Sequence, residues 1–368
     1  MTSIIYVGID VHSTSYTLCS YSVEKDECYA KVKIDPDCKK VLKYLEQVET
    51  RIGRKCEFVC GYEAGCMGYT LYHELSAYGI QCVILAPTTM LSDRRRIKTD
   101  SLDAEMISKC LAYHTYSAVY IPSEQDHAVK EYIRMRDDEK NTLKKVKQQI
   151  NAFCLRHGFH YSGKSKWTQT HLEWLKKLTF GNVVLQEILN EYLGLYQQAA
   201  DKLKIFDTRI AEFAVTTEYR EKVKRLSCFI GISTHTALTL VVETSDFARF
   251  KTATQYSAYL GLVPGEYSSG NTQKRTGITK AGNSHLRTLL IEAGHCYGLG
   301  RVGIKSKVLQ RKQAGNSARI IAYADRANDR LRRRFYKLSF RSNHNIAATA
   351  IAWELACFIW GMMTENIA

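Results

Sequence analysis

The chain is short of proline, with four in 368 residues and none between Pro122 and Pro264. A long stretch free of the residue that breaks helices predicts uninterrupted helices from about 124 to 225. No CxxC pair occurs among the twelve cysteines and no HxxxH pair among the eleven histidines. The familiar spacings of a structural zinc site are therefore absent. Thiols scattered in this way read as small buried residues of a reducing compartment. The amino terminus runs straight into a strand pattern, so no signal peptide is expected. The one long apolar run, IAATAIAWELACFIWGMM at 346–363, is borderline in length for a membrane span and carries Glu354 near its middle. A charge there is costly in lipid, so a buried carboxy-terminal helix is expected and no membrane partner.

Acid is scarce as well. The formal net charge is +15, and residues 268–341 hold 17 Lys and Arg against Glu292, Asp325 and Asp329. So one-sided a stretch repels itself unless it meets a polyanion, most simply nucleic acid. A ribosome-like or membrane-surface partner would leave a similar bias, so charge alone does not choose. The length implies two or three domains.

The acids that are present fall in telling places. Asp100 and Asp103 in KTDSLDAEMISKC open a helix pattern three residues apart, hence on one helical face about a turn apart. They suit either the positive end of the helix dipole or a shared hard cation such as Mg²⁺. IIYVGIDVHS is an apolar, β-branched run that delivers Asp10 to a strand end, and CEFVCGYEAG does the same for Glu63. Ligand groups in open α/β sheets gather at such strand ends, so Asp10, Glu63, Asp100 and Asp103 could converge on one metal site.

Residues 1–115 give three consecutive strands (IIYVGID, YTLCSYSV, CYAKVKI), a helix near 38–50, and then strand, helix, strand and the Asp100 helix. That order predicts an α/β domain with a mixed sheet. Arg94, Arg95, Arg96 and Lys98 lie in the loop before Asp100, as solvated charges or as contacts to a phosphate backbone. Farther on, Leu185, Leu189, Tyr192, Tyr196, Ala199, Leu203, Phe206, Ile210 and Phe213 keep a 3.5-residue period, and Leu143, Val146, Ile150 and Phe153 a shorter one. Together they predict a coiled-coil arm, paired as an antiparallel hairpin or with another subunit. The polar, aromatic HGFHYSGKSKWTQTH between them is a turn or small insertion. LSCFIGISTHTALTLVVE fits a helix-hairpin-helix turn or a plain αα-hairpin. After Pro264 and Gly265 a flexible loop carries Tyr267, Ser268, Ser269 and Gly270. Lys274, Arg275 and Lys280 crowd the approach to a helix starting near Gly282 or Asn283, whose free N–H groups would favour an anion. Lys274, Arg275, Lys280 and Arg287 are candidate phosphate contacts.

With its GID aspartate, YEAG glutamate, KTDSLDA pair and SSG…GITKAGN…LR block, the chain resembles the RNA-guided (bridge-RNA) insertion-sequence transposases. These pair a RuvC-like domain with a serine-bearing carboxy-terminal domain and are related to the Piv DNA invertases. The resemblance covers nearly the whole chain in the right order, with residues 158–184 less typical. It implies a ribonuclease H-like (RuvC-like) mixed-sheet DEDD domain over 1–118, a helical coiled-coil arm over 119–225 and a mostly helical serine transposase domain over 226–368. It puts the family's four acids on Asp10, Glu63, Asp100 and Asp103, holding Mg²⁺ or Mn²⁺, and its nucleophile on Ser269, with Ser268 next door. It further implies donor and target DNA, a structured guide RNA, and a dimer or tetramer in which one subunit's serine meets another's acids. The setting would be the bacterial cytoplasm, associated with the nucleoid. A junction-resolving endonuclease using only the carboxylates is the rival from the acids alone, and a non-catalytic nucleic-acid scaffold the second.

Overall fold

The computed structural model describes residues 3–87, 99–269 and 272–367, with backbone alone at 267–269 and 272–275. The chain divides into two compact units, 1–121 and 122–368.

The first unit is a five-stranded mixed sheet. Strands β1 (Ser3–Val11), β2 (Tyr16–Ser22) and β3 (Glu27–Ile34) form an antiparallel meander. Helix α1 (Cys38–Ile52) then crosses to β4 (Cys56–Glu63), and α2 (Thr70–Ala77) to β5 (Gln81–Leu85), both parallel to β1. The resulting order is β3-β2-β1-β4-β5, and the sheet is mixed, as the run of strands followed by alternation predicts. Asp37 caps α1 through its side chain and Gly53 ends it in the left-handed region at φ 73°.

Alternation along β1 divides the two faces. Ile5, Val7 and Ile9 pack with Val41, Tyr44 and Leu45 of α1 and with Leu71 and Leu75 of α2. The other face takes α3 (Asp100–Ala112), whose Ile107, Cys110 and Leu111 form a small core with Leu85, Tyr6 and Val83. Gly8 makes this crossing close: a Cβ there would run into the Ala104 carbonyl oxygen and the Ser108 amide and stand 3.0 Å from Ile107 Cβ. Gly61 of β4 is similarly tight, 2.9 Å from Leu111 Cδ2 and Leu85 Cδ1.

The second unit is almost entirely helical. Helices α4 (Glu124–Arg156), α5 (Gln169–Lys176) and α6 (Val183–Ala214) come first. The two long helices run antiparallel, since Tyr132 meets Phe206 and Phe213 at one end while Phe153 meets Tyr192 at the other. The segment from 157 to 182 folds back on them, so that Phe159, Trp167, Trp174 and Phe180 extend a core around Ile150, Phe153, Leu175 and Leu189. Next come α7 (Arg220–Leu226), α8 (Thr234–Thr244) and α9 (Ala253–Tyr259), then strands β6 (Pro264–Ser269) and β7 (Thr272–Ile278). Helices α10 (Ser284–His295), α11 (Lys307–Gln313), α12 (Ala318–Ser339) and α13 (His344–Met363) complete the chain.

Helix α13 is long and apolar enough to cross a membrane, the only such helix among the described residues. Here Ala347, Ala348, Ile351, Ala352, Leu355 and Ile359 fill the core of the unit. Its buried Glu354 is ion-paired with Arg330 and Arg334 of α12. That pairing explains how an acid stands in the middle of an apolar helix.

Candidate functional site

Strand β1 ends its core-facing run at Ile9, which pairs with Tyr62 of β4. Asp10 and Glu63 follow directly on these adjacent parallel strands. Each lies two residues beyond a glycine, Gly8 or Gly61, that abuts α3, so both share the face α3 covers. Thr99 caps that helix, accepting from the Leu102 amide at 3.4 Å. Asp100 is thus not spent as the cap. Asp100 and Asp103 stand in the first turn, over the end of β1.

The ligand atoms of Asp10, His12 and Asp100 lie within 4.8 Å of one another. His12 Nε2 is 3.1 Å from Asp10 Oδ2 and 4.0 Å from Asp100 Oδ1. Lys33 of β3 donates to Asp100 Oδ2 at 2.9 Å. Burial pushes the Asp10 carboxyl up, and the charges of Asp100 and Asp103 push it further while His12 opposes them. The Lys33 hydrogen bond holds Asp100 below the usual carboxylate range. Glu63 is exposed at the strand end. It and Asp103 fall outside the three-residue cluster, although Asp103 is near enough to act on Asp10. Asp10 and Asp100 offer the oxygen donors that a hard divalent ion prefers, with the His12 imidazole beside them. The donor chemistry fits such an ion.

His12 is a member the sequence reading did not include. Its signal was position, two residues past Asp10 on the strand leading out of the sheet. Beside the acids, Lys31 and Lys109 both grip Glu105, at 2.5 and 2.6 Å, and hold its carboxyl down at about 2.

In the second unit, the expected flexible loop after Pro264 is instead a β-hairpin, with Ser269 opposite Thr272 in register. The two residues between the strands, Gly270-Asn271, are a hairpin-turn signal in sequence. Ser269 is the last residue of β6, at the tip; its side chain, like those of Lys274 and Arg275, lies outside the described residues. Arg94, Arg95, Arg96 and Lys98 lie outside them as well. Lys280 is exposed and left-handed at φ 57°. Arg287 is used at least partly within the fold, donating from Nη1 to the Leu260 and Ala281 carbonyls at 3.0 and 3.2 Å. The expected helix start is found, but Asn283 caps it, accepting from the Leu286 amide at 3.0 Å.

A second ionisable cluster lies at this helix start. His285 faces Asp137 Oδ2 of α4 through Nε2 at 2.7 Å and Glu243 Oε1 of α8 through Nδ1 at 3.2 Å. Carboxylates on both ring nitrogens hold the imidazole doubly protonated, raising it to about 9 against the cost of burial. Arg134 forks onto Glu243 at 2.9 and 3.2 Å, and Asn283 donates to it at 3.0 Å. Burial alone would push Glu243 up; these donors hold it near 2. Burial would likewise raise Asp137, but His235, His285 and Arg136 outweigh it and lower the carboxyl. The cluster ties α10, which follows the serine hairpin directly, to α4 and α8.

Residues 7–159 match the transposase family model DEDD_Tnp_IS110, and residues 223–297 match the model described as Transposase IS116/IS110/IS902 family. Among curated relatives, y4qE of Sinorhizobium fredii, named as a transposase, is 37% identical over 83% of this chain and 75% of its own. The transposase for insertion sequence element IS1533 of Leptospira borgpetersenii is 30% identical over 91% of this chain and 96% of its own. The transposase for insertion sequence element IS1111A of Coxiella burnetii is 22% identical over 100% of this chain and 91% of its own. A DEDD transposase domain implies use of a divalent metal, in keeping with the acids gathered at the end of β1. On the strength of both models and of relatives matched along most of their length, the chain belongs to the IS110/IS116 family of insertion-sequence transposases, enzymes that cut and rejoin DNA.

Proposed function

We propose that this transposase cuts DNA through a phosphoserine link at Ser269, with Mg²⁺ or Mn²⁺ held by Asp10, Glu63, Asp100 and Asp103 in a ribonuclease H-like domain. The observation that carries the reading is the close crossing at Gly8, which sets the first turn of α3 over Asp10. When bound, the ion would supply Lewis-acid stabilisation of the reacting phosphate and of the departing oxygen.

The remaining chemistry belongs to the chain. A serine hydroxyl is a weak nucleophile at its ordinary pKa and must lose its proton as it attacks. Asp10, Glu63, Asp100 and Asp103 would orient the ion so that loss of the serine proton is assisted at the reacting phosphate. Ser269 Oγ bonds to phosphorus while the bond to the 3′ oxygen breaks, leaving a 5′-phosphoserine and a free 3′ hydroxyl. Attack by a new 3′ hydroxyl reverses the step, so the phosphodiester energy is conserved without ATP. Placement of Ser269 at the last paired position of β6, opposite Thr272, supports the nucleophile assignment. Lys274, Arg275, Lys280, Arg94, Arg95, Arg96 and Lys98 would hold phosphates around it.

A structured guide RNA, pairing with donor and target, would choose the site. That reading rests on the family resemblance carried by the KTDSLDA and SSG…GITKAGN blocks. Assembly as a dimer or tetramer through the antiparallel helices α4 and α6, acting as a coiled-coil arm, completes the proposal, with the bacterial nucleoid as its setting.

The deciding experiment is Ser269→Ala assayed for covalent protein–DNA adduct and for recombination. Both should vanish while metal-dependent nicking by the acids is tested alongside. An adduct that persists removes Ser269 from its role, and cleavage that survives with free 5′ phosphates favours the carboxylate-only endonuclease.

A further inference from the structure

Helix α12 carries a charge pattern that neither the acid cluster nor the serine hairpin uses. Arg319, Arg326, Arg330, Arg333 and Lys337 recur at spacings of seven, four, three and four, and all five are exposed. At 3.6 residues per turn they fall within about 60° of arc, along roughly 27 Å of helix. The opposite face is buried and mainly apolar, through Ala324, Ala327, Leu331 and Phe335, with Asn328 and Arg332 buried among them. The stripe therefore faces solvent along the whole helix.

Nearby acids reach only part of it. Asp325 is bound to Lys305, and Asp329 accepts from the Gly303 amide. Glu354 is shared by Arg330 and Arg334, which explains those two structurally. Arg319, Arg333 and Lys337 have no acidic partner among the described residues. A further feature stands at the end of the stripe. Phe340, the residue after α12, continues the right-handed turn at φ −71° and is 90% exposed. Its ring leaves the helix about 60° from Lys337, at the edge of the same face.

We propose that this face of α12 is a nucleic-acid-binding surface distinct from the catalytic residues. Its basic stripe lies along the phosphates of a duplex, and Phe340 stacks on the first unpaired base where that duplex opens. Regular exposed cations suit phosphates, whose charges recur every 1.7 Å or so along a duplex axis. A single naked aromatic at the end of such a row suits a base π-face, which any sequence provides. DNA and RNA present the same chemistry, and both are used below.

Full-length protein is titrated in EDTA, so that no cleavage is required, with blunt and forked duplexes of DNA and of RNA. The forked forms carry 2-aminopurine at the first unpaired position. Replacing Arg319, Arg333 and Lys337 together with Ala should reduce the slope of log Kd against log salt by roughly 2–3 on blunt and forked forms alike. Replacing the same three with charge-preserving Lys and Arg should leave that slope intact. Phe340→Ala should spare blunt-duplex binding and the slope, abolish 2-aminopurine quenching, and weaken the forked form about tenfold. The better-bound nucleic acid identifies the source. An unchanged slope in the Ala variant, a charge-preserving variant that fails equally, a Phe340→Ala protein that still quenches, or binding to neither nucleic acid overturns the proposal. None of these readouts involves the phosphoserine, so loss of the adduct assignment would leave this surface standing.

Discussion

Replacing Gly8 with Ala tests the central geometric premise without touching a candidate catalytic group. The added methyl would collide with the Ala104 carbonyl oxygen and Ser108 amide and press on Ile107 Cβ at 3.0 Å. Ordinary nonbonded contacts are about 3.5–4.0 Å, so α3 must retreat by something on the order of 1 Å. Overpacking of this kind costs about 1–3 kcal/mol, seen as a thermal midpoint lowered by several degrees. The consequence for function should be larger than that for folding. Asp100 and Asp103 ride on the first turn of the displaced helix, while Asp10 stays on the strand. A misplacement of about 1 Å can cost roughly 100-fold in rate. The assay is strand cleavage at saturating Mg²⁺ on protein shown to be folded at the assay temperature, together with Mn²⁺ titration by calorimetry. A folded Gly8→Ala protein with full activity and unaltered metal affinity would refute the claim that this crossing builds the site.

Two further outcomes follow from the charges. Asp10→Asn should abolish metal-dependent cleavage yet melt no lower than wild type in EDTA, because it removes a carboxylate that burial and acidic neighbours disfavour; Mg²⁺ should then raise the melting temperature of wild type but not of the variant. The His285 imidazolium, raised from 6.5 to about 9 by its two carboxylates, contributes about 3 kcal/mol that is fully present below pH 6.5 and lost as pH rises through about 9. Glu243, lowered from 4.5 to about 2, contributes stability that is present above pH 4.5 and lost as pH falls through about 2, so the shared network is at full strength from about pH 4.5 to 6.5. Chemical denaturation at a series of pH values should show His285→Gln well below wild type at pH 6 and the gap closing above pH 9; a gap independent of pH would refute the doubly protonated assignment.

The parts of this molecule legible in its sequence are those encoded by short-range periodicity. Asp10 and Glu63 could be read as strand ends because a β-branched run closes at each, and the mixed sheet follows from three strands succeeded by alternation. The α4–α6 pair is legible as two apolar seams that fit an antiparallel hairpin or a second subunit, and the chain takes the hairpin. His12 was missed because the search was for carboxylates. The hairpin bearing Ser269 is hidden in the sequence because its polar residues outweigh the Gly-Asn signal, and only the strand pairing from Pro264–Ile278 to Ser269–Thr272 reveals it.

The cluster around His285 shows a different kind of limit. Its two ring contacts join residues 148 and 42 positions apart, and the Asn283–Glu243 bond spans 40. No period or motif links Asp137, Glu243 and His285; each looks like an ordinary polar residue on its own helix. What could have pointed to them is cost: Glu243 lies in ALTLVVET, where an unpaired carboxylate would be expensive to bury. The same reasoning applied to Glu354 in AIAWELACF leads to Arg330 and Arg334. An acid in an apolar run therefore marks a buried partner as surely as a period of 3.6 marks a helix face. In this chain it marks two, one tying α10 to α4 and α8 and one tying α13 to Arg330 and Arg334 of the basic helix.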